Sequence, residues 1–143
     1  MRRDSIKLLR ECETVGKTAL DWIAKTEEEI EDDRLKQVLQ NYRQKYCIFS
    51  DRVDREFSLH RRQSRELSPV KRAEVWMKLH TGLLMKHTDG EIADMLSTAC
   101  FTQTKQLSHA LNHCPGAEQN TVALTKELIL LQQKCTEELR EFL

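Results

Sequence analysis

Residues Asp54 to His60 read DREFSLH, which sets the Glu56 carboxylate and the His60 imidazole four residues apart. On a helix, positions i and i+4 share a face, so the pair could offer an oxygen and a nitrogen to one metal ion. His109 and His113 have the same spacing, and Cys114 follows directly. Two imidazoles and a thiol are ligands for a borderline-soft divalent ion. Glu56, His60, His109, His113 and Cys114 are therefore the candidate metal ligands of this chain.

Helical bundles that hold two metal ions set a sharper test. They use a Glu from each of two helices and a Glu-x-x-His from each of the other two. The residues three before His60, His80, His87, His109 and His113 are Phe57, Met77, Leu84, Gln106 and Ala110, and none is acidic. The last third of the chain carries Gln132 and Gln133 where a carboxylate would be needed, and neutral amides are poor iron ligands. The expectation is that DREFSLH is a solvated helix end with Glu56 and His60 exposed. His109, His113 and Cys114 are likewise expected at an exposed, polar helix end, and neither a metal nor a cofactor is assigned. A metal-handling alternative would need Glu13, Glu27, Glu56, Glu127 or Glu138 to turn inward near His60 or His109.

The five cysteines, Cys12, Cys47, Cys100, Cys114 and Cys135, contain no C-x-x-C pair. Free thiols are expected, four of them buried as small apolar residues. Similar heights are expected for Cys47 and Cys100 and opposite ends for Cys12 and Cys135, which argues against a four-cysteine metal site. Neither a Gly-rich phosphate loop nor a G-x-S-x-G elbow occurs, so no catalytic residue is assigned.

The elements that must position these groups are helical. Gly (4) and Pro (2) are scarce, which leaves few turns for a many-stranded fold. Apolar residues instead recur every three or four positions. Helices are expected over roughly 4–31, 34–60, 69–87, 90–112 and 117–142, in one domain spanning 1–143. Ile6, Leu9, Gly16, Leu20, Ile23 and Ile30 point inward on the first, with Cys12 and Ala19 between them. Leu35, Leu39, Tyr42, Tyr46, Phe49, Val53 and Phe57 form the stripe of the second. The acidic run EEEIEDD closes the first helix, and Asp32 or Asp33 caps the next. Thr88 with Glu91 three residues later fits a capping box. Cys114-Pro115-Gly116 is a break.

Loop length sets the topology. Short connections make 4–31 with 34–60, and 90–112 with 117–142, antiparallel hairpins. Between the hairpins lies a long connection with its own helix. A helix of roughly 18 residues spans about 27 Å, enough to run the length of a bundle. Two hairpins joined by one long crossover is ferritin-like connectivity.

From Trp76 onward the chain reads WMKLHTGLLMKHTDGEIADMLSTACFTQTKQLSHALNHCPGAEQNTVALTKELILLQQKCTEELREFL. It resembles the second half of a family of small, uncharacterised bacterial proteins with a ferritin-like four-helix bundle. The shared features are the helix before the turn, the I-A-x-M-L entry at Ile92–Leu96, small residues near Ala99, the A-L-N ending at Ala110–Asn112, and the closing L-x-x-F-L. The resemblance covers residues 76–143 and implies an all-α, ferritin-like fold; it carries no activity.

Charge narrows the partners. Lys+Arg and Asp+Glu are equal at 23 each, which argues against a nucleic-acid binder. The basic stretch Arg61, Arg62, Arg65, Lys71 and Arg72 is broken by Glu66 and Glu74 and reads as a solvated connector. No apolar run approaches the ~20 residues of a membrane span, and no signal-peptide core follows the N-terminal arginines, so a cytoplasmic protein without membrane contact is expected. Trp76, Met77, Leu83, Leu84 and Met85 exceed what one narrow stripe needs, and they are the candidate interface for a protein partner or a second copy. The expectation is a non-catalytic bundle acting through protein contacts. The competing expectation is a ferritin-like metal- or oxidant-handling protein with atypical ligands.

Overall fold

Acidic side chains decide where the first helix stops. In the computed structural model, which describes residues 2–60, 62 and 87–143, α1 spans Arg2–Thr26, and Glu27–Glu29 form a single 3-10 turn. The expected continuation of the α-helix to residue 31 is therefore corrected. Three adjacent carboxylates at the negative end of a helix dipole disfavour another α turn. The Thr26 hydroxyl, fully buried, donates back to the Trp22 carbonyl four residues earlier at 2.9 Å and so is satisfied within its own helix.

The next starts follow the capping logic. α2 spans Asp33–Leu59 with Asp32 as N-cap, its carboxylate accepting the Arg34 N–H at 2.7 Å. α3 spans Asp89–His113 and opens on a reciprocal capping box. The Glu91 N–H donates to Thr88 Oγ1 at 3.2 Å, and the Thr88 N–H donates to Glu91 Oε1 at 3.1 Å. α4 spans Gln119–Leu139, followed by a 3-10 turn at Arg140–Phe142. The described residues are thus all-helical, with four α-helices. The expected helix over 69–87, with Trp76, Met77, Leu83, Leu84 and Met85, lies outside the described residues, as do Arg61, Arg65, Lys71 and Arg72.

Side-chain pairs fix the directions. Ser5 Oγ accepts the Glu118 N–H at 2.8 Å, and Cys12 Sγ meets Thr125 Oγ1 at 3.2 Å. Both pairs are 113 residues apart, so α1 and α4 run side by side in one direction. α2 opposes α4: His60 faces Glu118, Tyr46 meets Gln132, and Arg34 pairs with Glu141. α1 and α2 are joined by a tight turn and oppose each other, with Arg10 over the Phe57 ring at 4.3 Å and Glu27 paired with Arg43. The short 114–118 connection folds α3 back on α4. By these pairings α2 and α3 share a direction.

α1 packs on all three other helices. Its buried face is correspondingly wide. Leu8, Val15, Thr18 and Trp22 are inside as well as Leu9, Cys12, Gly16, Ala19 and Ile23, whereas Ile6 and Leu20 are only half-buried at the rim. At Gly16 the approach of α2 is close: a Cβ there would stand 3.3 Å from Ser50 Oγ. α2, lying against fewer neighbours, buries the seven residues of its expected stripe. One end is tied by Asp89, whose carboxylate accepts the N–H groups of Glu31 at 3.0 Å and Asp32 at 2.8 Å. The other is tied by Asp4, which accepts the Gly116 N–H at 2.8 Å. No helix among the described residues is long and apolar enough to cross a membrane.

Candidate functional site

The middle of the core is polar. Tyr46 on α2, Gln103 on α3 and Gln132 on α4 project inward to one point and are 1 %, 5 % and 0 % exposed. The Tyr46 hydroxyl donates to Gln132 Oε1 at 2.5 Å, and Gln132 Nε2 donates to Gln103 Oε1 at 2.8 Å. This chain links three helices through groups that carry no formal charge. A buried amide needs such partners, because each orphaned donor or acceptor would cost about 1–3 kcal/mol.

One turn along the same pair of helices lie Cys100 on α3 and Cys135 on α4. Both are buried, with Tyr46 and Thr136 near Cys100. Cys100 is held below its ordinary value, first by the Cys135 thiol, while Cys135 is pushed far up by the Cys100 thiol and by burial. Burial also raises Tyr46 and Tyr42, the latter with Glu138 adding to the shift. Cys47, expected at a height similar to that of Cys100, is exposed on α2. Cys12 is buried against Thr125, and burial pushes its thiol up to about 12.

Glu56 and His60 lie at the C-terminal end of α2. Glu56 is half-buried. His60 is not exposed as expected: it is 7 % exposed, its Nε2 faces Glu118 Oε2 at 3.5 Å, and its carbonyl accepts from Arg2 Nη2 at 2.5 Å. The reason is periodic. His60 follows Phe57 by three, so it continues the Phe49, Val53, Phe57 stripe to the helix end. Glu56 and His60 instead line, with Arg2, Leu59, Glu118 and Asn120, an open cleft of about 420 Å³. The imidazole turns to the Glu118 carboxylate, not to the DREFSLH carboxylate.

At the end of α3, His109 and His113 are exposed and stack face to face, centroids 3.9 Å apart, with the His113 Nδ1–H donating to the His109 carbonyl at 2.8 Å. Stacked rings do not converge on a common ion. Cys114, expected at an exposed end, is 7 % exposed beneath the turn, and burial raises its thiol. The alternative carboxylates are engaged elsewhere: Glu13 with Arg10 and Lys17, Glu27 with Arg43, Glu127 with Arg52, and Glu138 beside Tyr42. Among the described residues no three of His, Cys, Asp and Glu gather into a metal-holding group.

Single-position reading missed the Tyr46–Gln132–Gln103 chain and the nearness of the two core thiols, although a signal was present. Cys100 and Cys135 stand at nearly equal distances in sequence from Ala117, in the α3–α4 turn, as do Gln103 and Gln132. Folding the hairpin about that turn makes them neighbours. Comparison with known protein families, with curated proteins and with solved structures finds no match for this chain.

Proposed function

We propose that this chain is a non-catalytic, ferritin-like four-helix bundle of the cytoplasm that works through protein contacts, a second copy of itself included. The observation that carries the reading is the filled centre. At the mid-height where di-metal bundles gather carboxylates, Tyr46, Gln103 and Gln132 bond one another and fix three helices together. Such a centre serves the fold and leaves the surface to do the work. The shared direction of α2 and α3 supports a crossover between the two hairpins, and exposed Ile48, Phe101 and Leu130 supply apolar contact points on three different helices.

Light scattering over a concentration series tests self-association: a mass that stays near 16.8 kDa at high micromolar concentration removes the homodimer. Aerobic loading with ferrous iron tests the non-catalytic part. Stoichiometric iron that survives desalting, or oxidation of iron faster than in buffer, overturns it.

A further inference from the structure

α2 packs on α1 and α4 and leaves a long side to solvent, where Gln40, Gln44, Cys47, Asp51 and Asp54 are all exposed. Their spacing alternates four and three residues, which keeps them on one line of the helix. Ile48 stands beside that line at 62 % exposure. An open cleft of about 580 Å³ runs there, lined by Glu27, Gln40, Arg43, Gln44, Cys47 and Ile48. Charge is divided unevenly along the helix. Residues 34–50 include Arg34, Lys36, Arg43 and Lys45 and no acidic residue, and Asp51 and Asp54 begin the half beyond. Cys47 and Ile48 mark the point where the basic half gives way.

We propose that this side of α2 is a self-complementary surface on which a second copy of the chain docks, the two α2 helices running antiparallel about a two-fold axis beside Cys47 and Ile48. A two-fold contact must satisfy itself, each residue meeting its partner in both senses. Arg43 and Asp51 lie four residues either side of Cys47. The axis therefore sets Arg43 opposite Asp51 of the second copy and repeats the pair in reverse. Seven residues either side of Cys47 stand Gln40 and Asp54, an amide donor and a carboxylate acceptor. At the axis Cys47 and Ile48 meet their own counterparts and form the apolar centre. Glu27 Oε2 holds Arg43 Nη1 at 3.3 Å, which fixes the guanidinium at the cleft and leaves it donors for a second carboxylate.

The pattern also rejects the neighbouring arrangements. Sliding the copies by about one turn in one direction sets Arg43 opposite Arg55, and in the other direction sets Lys36 opposite Arg55. A parallel pairing lays the basic half on the basic half. The antiparallel register about Cys47 is thus selected by charge, with a small apolar centre to hold it. This docking presupposes self-association through protein contacts and gives it a surface.

The test is light scattering on the full chain over a concentration series at low salt. The parent mass should rise from 16.8 kDa towards twice that value, and Ile48→Arg should hold it at the monomer. Asp51→Arg and Arg43→Asp should each raise the dissociation constant about tenfold or more, because each sets like charges face to face twice. An equimolar mixture of these two variants restores opposite charges at both pairs and should associate within about threefold of the parent, as should the chain carrying both changes. A short bismaleimide should link Cys47 to Cys47 of the second copy, and Phe101→Arg and Leu130→Arg should leave association unchanged. The substituted positions are exposed, so circular dichroism should show every variant folded. A dimer that persists in Ile48→Arg, or charge variants that fail to complement each other, overturns this surface while self-association stands. A monomer at every concentration removes both.

Discussion

Replacing Gln132 by Leu keeps most of the side-chain volume but removes both bonds of the central chain. The Tyr46 hydroxyl and Gln103 Oε1 then lose their Gln132 partner at sites only 1 % and 5 % exposed. Two such orphans cost about 2–6 kcal/mol at about 1–3 each. The extra apolar surface of Leu offsets part of this, so a net loss of roughly 2–4 kcal/mol is expected. The triple variant Tyr46→Phe, Gln103→Leu, Gln132→Leu leaves no orphan and should return to within about 1 kcal/mol of the parent, because apolar replacement of a whole buried network is often neutral. Urea unfolding followed by circular dichroism reads both. With a slope of about 2 kcal/mol/M, Gln132→Leu lowers the midpoint by about 1–2 M, and the triple variant restores it with the slope unchanged. If Gln132→Leu shifts the midpoint by less than about 0.3 M, or if the triple variant loses as much as the sum of its singles, the network does not lock the core and the reasoning fails.

Other perturbations probe separate parts of the fold. Phe49→Ala empties a position 4 % exposed and should cost about 3–5 kcal/mol in the same assay. His60→Ala should cost about 1–3 kcal/mol and half-buried Glu56→Ala about 0.5 kcal/mol or less; equal effects would mean that the end of α2 is misplaced. In the native chain at pH 8 a thiol reagent should modify Cys47 rapidly and the buried cysteines slowly, Cys12 being held protonated by burial, while all five react in denaturant. More than one fast thiol would contradict the packing. The Glu91 carboxyl is held below the usual range, first by the Thr88 backbone N–H and then by the Thr88 hydroxyl. Its contribution is therefore present above the ordinary carboxylate value of about 4.3 and is lost as pH falls through the lower folded value. Stability of Glu91→Gln should fall less steeply below about pH 4; parallel curves would remove the capping box from the account.

Much of the helical frame was readable from periodicity, and the limits of that reading have physical causes. The α2 stripe from Leu35 to Phe57 and the Thr88–Glu91 box were legible because each depends on residues within a few positions of one another. α1 was read too narrowly. A single stripe describes a helix with one line of neighbours, and α1 has three helices against it, which buries Val15 and Trp22 as well. His60 was read as exposed from its polarity, although its spacing from Phe57 placed it inside. The central chain was the hardest to see, since Tyr46, Gln103 and Gln132 are remote in sequence and meet only once the register of two hairpins is known.

The same-direction pairing of α1 with α4 also constrains how the chain matures. Ser5 and Cys12 find their partners 113 residues further along. During synthesis at about 5–20 residues per second, the α1–α2 hairpin is therefore complete for several seconds before the surface meant to cover its remaining apolar side has been made. In that interval Leu8, Leu9 and Val15 belong to a half-built core open to the crowded solution. A chaperone that cradles a short amphipathic hairpin, or a transient pairing of two nascent chains through that side, would act in this window and be released when α4 docks. Ribosome-bound chains halted before residue 119 should accordingly be more protease-sensitive in α1 than chains halted far enough beyond α4 for it to leave the exit tunnel.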